Sequence, residues 1–187
     1  MKLYLHFYSA IAVLITSCTS PELSPSSQSD NQASSKLKVV RVDKKSIVVG
    51  QTIYVPIYSH IYHEDEHKIL NLAATLSIRN TDLTNPMIIT SVRYYDSDGK
   101  LVRQYITQPV QLGAMASCDF VVARTDSSGG VGANFIVEWV AEKEISEPVV
   151  EAVMIGTESS QGISFISTGR VIKSMNNEQK SMNVIDN

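Results

Sequence analysis

Three of the four histidines fall inside one nine-residue run, Ser59-His60-Ile61-Tyr62-His63-Glu64-Asp65-Glu66-His67, with three carboxylates among them. Imidazole nitrogens and carboxylate oxygens together suit Zn²⁺, Cu²⁺ or Ni²⁺. Read as a helix, His63-Glu64-Asp65-Glu66-His67 fits the pattern H-E-x-x-H. In that arrangement two His one turn apart hold zinc from the same face and Glu64 polarises the attacking water. This hydrolytic reading requires a helix over 63–77 and a third ligand. No His follows His67, so only a carboxylate could complete the set. Read as a strand end and loop, His60, His63 and His67 with Glu64, Asp65 or Glu66 form a candidate metal site without turnover. The plain alternative is a solvated, charged hairpin loop.

Other residues invite chemistry less strongly. Tyr54, Tyr58 and Tyr62 recur every fourth position. On a continuous strand they would share one face and line a shallow aromatic patch suited to a glycan or protein partner, or else cover the edge of the core. Gly129-Gly130-Val131-Gly132 lacks the Lys-Ser/Thr ending of a phosphate loop and leads into a strand, so it reads as a β–β connection. Asp96-Ser97-Asp98-Gly99 lacks the spaced ligands and closing Glu of a calcium loop and reads as a hairpin turn. No Gly-x-Ser-x-Gly elbow is present. No complete catalytic set emerges, and an enzyme is not expected.

The elements that must position these residues are strands. Thr52 to Tyr58 is rich in β-branched and aromatic side chains, and Pro56 suggests an edge strand. From Leu70 to Arg79 apolar side chains fill the even positions Leu70, Leu72, Ala74, Leu76 and Ile78, a period of two. Ile69, Leu72, Ala73 and Leu76 also share a helical face, so a helix stays open here. Met87–Tyr95 and Lys100–Ile106 flank the 96–99 turn. Further strands are expected over Ser117–Thr125, Asn134–Val140, Val149–Ile155 and Ile163–Ile172. Short strands at near-regular spacing with turns between them indicate an all-β sandwich or barrel. Cys118 lies in such a strand, where a lone thiol behaves as a small buried apolar group.

The ends differ in kind. Met1-Lys2 is basic, Leu3 to Ile15 is mostly apolar, and Ile15-Thr16-Ser17-Cys18 follows. The apolar stretch is too short to span a bilayer and reads as a secretory signal over 1–17. An apolar residue, two small residues and Cys resemble the lipobox of bacterial lipoproteins. That resemblance implies cleavage before Cys18, a diacylglyceryl group on its thiol, and an acyl chain such as palmitate on its amine. Thr19 in place of Asp implies no retention at the inner membrane. Residues 19–36, TSPELSPSSQSDNQASSK, carry almost no aliphatic side chain and read as a flexible tether. The 37–173 segment is one domain's worth of sequence, and 174–187 is a polar tail.

Two wider resemblances follow. Leu76-Ser77-Ile78-Arg79-Asn80-Thr81, the Tyr95-Asp96-x-x-Gly99-Lys100 hairpin and Leu112-Gly113-Ala114 are similar to immunoglobulin-like modules of bacterial surface proteins, implying an antiparallel β-sandwich. Tyr54 to His60, Asn71 to Asn80, Gly132 to Trp139, Glu151 to Thr157 and Gly162 to Phe165 resemble a family of uncharacterised cyanobacterial and proteobacterial lipoproteins, a domain of unknown function. The net charge of −3 and the lack of a basic stripe in the sequence argue against nucleic acid. The expectation is a lipid-anchored binding or structural module of the cell envelope, at the outer membrane or the periplasmic face. Its expected contacts are the membrane through the lipid, and an envelope protein or glycan.

Overall fold

The computed structural model describes residues 37–158 and 161–175. The expected signal peptide, Cys18, the Ser-rich segment and the tail beyond Met175 lie outside them. Period-two burial drives the fold. In β2 (Val49–Pro56) and the residues after it, Ile53, Val55, Ile57 and Ser59 point inward while Thr52, Tyr54, Pro56 and Tyr58 point away. β5 (Ala73–Arg79) buries Ala74, Leu76 and Ile78 completely. β10 (Asn134–Ala141) does the same with Phe135, Val137 and Trp139. Each of the larger of these side chains, such as Leu76, Ile78, Phe135 and Val137, contributes about 1.5–3 kcal/mol by leaving water.

The described residues form thirteen strands and only antiparallel pairs. The remaining elements are β1 (Lys38–Val39), β3 (His60–His63), β4 (Asp65–Asn71), β6 (Met87–Tyr95), β7 (Leu101–Gln104), β8 (Val110–Leu112), β9 (Ser117–Val122), β11 (Val149–Glu158), β12 (Gln161–Thr168) and β13 (Arg170–Ser174). One seven-stranded sheet runs β1-β8-β6-β10-β2-β13, with β7 also paired to β6. A four-stranded sheet runs β12-β11-β5-β9. The two inner faces share one core, and the fold is an all-β antiparallel sandwich. The ribbon β3–β4 forms a third, two-stranded sheet.

Three sequence expectations change in detail. The 70–79 stretch is a strand throughout its inward face, not a helix, but it divides at Leu72 into β4 and β5. The division marks a change of partner, from β3 to β11 and β9. The expected strand 163–172 is two strands in different sheets, joined at Gly169. There the chain crosses so closely that a Cβ would meet Ile53 Cγ2 and the Val150 carbonyl, both at 2.7 Å. Pro56 does not mark an edge strand, because β2 lies between β10 and β13. Ile57 donates its N–H to Ala133 on the β10 side, so alternation turns Pro56 nitrogen the other way. Pairing with β13 reaches only Tyr54, and the missing donor therefore costs no ladder bond.

Polar side chains tie down the ends of the sandwich. Asn80, 3% exposed at the end of β5, donates from Nδ2 to the carbonyls of Asn85 and Gly113, both at 2.9 Å. Its Oδ1 accepts from the Asp82 amide at 3.0 Å. Asp82 carries the next turn, accepting from the amides of Thr84, Asn85 and Ser146. At the opposite end Ser59 Oγ accepts from the Gly130 amide, and Ser97 Oγ accepts from the Gly132 amide while donating to the Gly129 carbonyl. The glycine run is thus a loop clasped by two serines, as a β–β connection requires.

Candidate functional site

The His-rich run becomes a hairpin. β3 and β4 pair His60 with Asn71, Ile61 with Leu70 and Tyr62 with Ile69, with a register shift before His63 opposite Asp65. Ile61 and Leu70 face the core. Glu64 turns the chain in the left-handed region, with φ of 64°. The segment His63 to His67 is strand, turn and strand, so the helical turn that H-E-x-x-H chemistry needs is absent, and the hydrolytic reading through His63, Glu64 and His67 is not supported.

The same geometry separates the ligands expected for a simple metal site. His60 is half-buried at the start of β3, whereas His63, past the register shift, is exposed. His67 projects into solvent with its side chain 84% exposed, beside Glu66 at 3.7 Å. The acids are engaged elsewhere. Glu64 pairs with Lys68, and Asp65 Oδ1 accepts from the amides of His67 and Lys68 at 2.9 and 3.1 Å. Among the described residues no group of three or more His, Cys, Asp or Glu side chains is placed to hold a metal ion. His60 stands at the base of the ribbon, edge-on to Tyr62 at 5.7 Å. Its Nδ1 and the Oδ1 of Asn71, its register partner, are both buried without a hydrogen bond.

The three tyrosines also part company, because the chain leaves β2 at Pro56 and starts β3 at His60. Tyr58 packs edge-on against Phe165 at 5.7 Å and covers the margin of the core. Tyr62 lies on the exposed side of the ribbon. Tyr54 remains on the outer face of the seven-stranded sheet. There the registers place Arg93, Ile136, Tyr54 and Arg170 in one row across β6, β10, β2 and β13. In the neighbouring row Glu138 pairs with Arg93 at 2.5 Å, and the Arg93 guanidinium sits 5.8 Å from the Tyr95 ring centroid. Arg93 Nε is buried and makes no hydrogen bond. Sequence reasoning missed Arg93, Tyr95, Glu138 and Arg170. Each stands at an outward position of its own strand, and only the inter-strand register brings them to one face.

Cys118 is buried opposite Ile78 on the inner face of β9. Burial, with the Asp119 charge adding in the same sense, pushes its thiol up to about 12. It stays a neutral, inert packing group. Tyr94 is wholly buried, its phenol raised by burial and by the Asp126 charge. Its Oη lies against Gly129, where a Cβ would come within 2.0 Å.

These elements define the class: an antiparallel β-sandwich domain with a projecting two-stranded ribbon and a mixed charged and aromatic outer sheet face. A family model described as a protein of unknown function (DUF3124) matches residues 50–172, and the chain belongs to that family. Neither the curated proteins nor the solved structures give a match. No helix among the described residues is long and apolar enough to cross a membrane.

Proposed function

We propose that the chain is a lipid-anchored protein of the bacterial envelope whose sandwich is a binding or structural module. The observation that carries this reading is Ile15-Thr16-Ser17-Cys18, placed directly after a basic start and a short apolar stretch. Two or more acyl chains hold a protein stably where one gives marginal binding, so a diacylated, N-acylated Cys18 is a sufficient anchor. The Ser-rich segment 19–36 then separates the lipid from a domain that begins at β1. The lack of a helix over 63–77 and the separation of His60, His63 and His67 favour binding over hydrolysis as the domain's role.

The test is expression of the full chain in a Gram-negative host with labelled palmitate, followed by mass spectrometry of the N-terminal peptide. The expected result is label on a chain beginning at Cys18, partition into detergent phase, and loss of both in Cys18→Ser. An unlabelled, water-soluble mature chain would overturn the anchor.

A further inference from the structure

The registers sort the charges of the seven-stranded sheet. On its outer face Lys38 lies opposite Gln111 in the row of Ile88, Arg93 and Arg170 share the row of Tyr54, and Lys173 shares the row of Glu138 and Thr52. Four basic residues therefore stand on this face against one acid, Glu138, in a chain whose net charge is −3. The outer face of the four-stranded sheet differs: Arg79 stands there with Glu151 and Asp119, one base against two acids. The exposed hairpin tip adds Glu64, Asp65 and Glu66 against one base, Lys68. Positive charge is thus concentrated on one face of an otherwise acidic domain.

That face also has the side chains of an interfacial surface. Tyr54 and Tyr95 lie among the bases, and Leu101, Ile172 and Met175 are exposed at the sheet's margin, 45%, 60% and 41% respectively. Tyrosine favours the headgroup level, and exposed alkyl groups flanking bases favour the headgroup–acyl boundary. The chain reaches this sheet from the N-terminal side: β1, which carries Lys38, is its edge strand. Residues 19–36 extend at most about 65 Å, so a lipid on Cys18 keeps the face within reach of the bilayer.

From this segregation of charge and the position of the attachment point, we propose that the outer face of the seven-stranded sheet docks on an anionic lipid surface, through Lys38, Arg93, Arg170 and the flanking tyrosines. The proposal rests on the lipid-anchor reading. The domain then lies against the membrane that holds it, with the β3–β4 ribbon and the four-stranded sheet left to face other molecules.

The unlipidated domain tests this separately from the anchor, since Asn31–Asn187 is one compact unit with its own core. It is sedimented with vesicles of phosphatidylcholine alone and with vesicles containing phosphatidylglycerol. Binding to the anionic vesicles only, weakened by salt, is the expected result. Lys38→Glu with Arg170→Glu should lower the partition coefficient at least about tenfold, since each base near an anionic surface contributes roughly fivefold. Arg124→Glu, away from this face, should leave partition within about twofold. Circular dichroism melts confirm that each variant is folded. No sedimentation with anionic vesicles overturns the proposal, as does an equal loss in Arg124→Glu. Binding to a soluble anionic polysaccharide without vesicle binding would also overturn it, assigning the face to a glycan. Palmitate labelling of Cys18 reads the anchor independently of all these outcomes.

Discussion

Asn80→Ala should cost the domain about 3 kcal/mol, a large share of a small domain's stability. The side chain makes three good hydrogen bonds, to the carbonyls of Asn85 and Gly113 and from the Asp82 amide. A hydrogen bond of this kind contributes about 1 kcal/mol net, and a polar group left buried without a partner costs about 1–3 kcal/mol. Asn80→Asp is the sharper probe. It keeps the acceptor for the Asp82 amide but replaces the donor with an ionised oxygen aimed at carbonyl oxygens. Its folded-state pKa must rise above the unfolded value, so its penalty is absent below the unfolded pKa and grows as pH rises toward the folded one. A protonated carboxyl can again donate one bond. Urea unfolding at pH 7 and pH 5, with equal m-values, measures both variants. The expected order at pH 7 is wild type, then Ala, then Asp, with the Asp deficit shrinking at pH 5. An Asn80→Ala cost below about 0.5 kcal/mol, or an Asp penalty indifferent to pH, would refute the assignment of Asn80 as the buried tie at this end of the sandwich.

Further outcomes follow from other sites. Gly129→Ala should destabilise the fold, because its new methyl would collide with Tyr94 Oη at 2.0 Å and with Tyr94 Cζ and Ala133 Cβ at 2.7 Å; Tyr94→Phe, which removes only the first of these clashes, should rescue it in part in a double-mutant cycle read by thermal melts. Hydrogen bonds from the Thr84 and Asn85 amides hold the Asp82 carboxyl down to about 2, below its unfolded value near 3.9. Its contribution is therefore present above the unfolded pKa and lost as pH falls through about 2, and Asp82→Asn should flatten the decline of Tm across that acid window. In a Zn²⁺, Cu²⁺ and Ni²⁺ titration followed by calorimetry, the wild-type domain should bind no more tightly than the triple variant His60→Ala, His63→Ala, His67→Ala; stoichiometric binding lost in the variant would restore the metal site.

Local pattern determined much of this protein. Alternation over Leu70 to Ile78 marked the inward face of β4 and β5, the 87–95 strand was legible from end to end, and Cys118 fell inside the core as its strand context implied. Those features depend on neighbours one or two residues away, and a period of two records them directly. What depends on partners distant in the chain was not legible. Pro56 suggested an edge, yet β2 is central, because its pairing with β13 ends before the proline. Tyr54, Tyr58 and Tyr62 looked like one face until the chain left β2 and re-entered as β3. His60, His63 and His67 are close in sequence, but in a strand-and-turn backbone they do not form a metal-holding group among the described residues, where a helix would have brought them to one face. Conversely, Arg93, Glu138, Tyr54 and Arg170 are scattered over 117 residue positions from 54 to 170, and meet only through register. Side-chain direction is a local consequence of sequence; which directions coincide is set by strand pairing, and only the tertiary structure decides that.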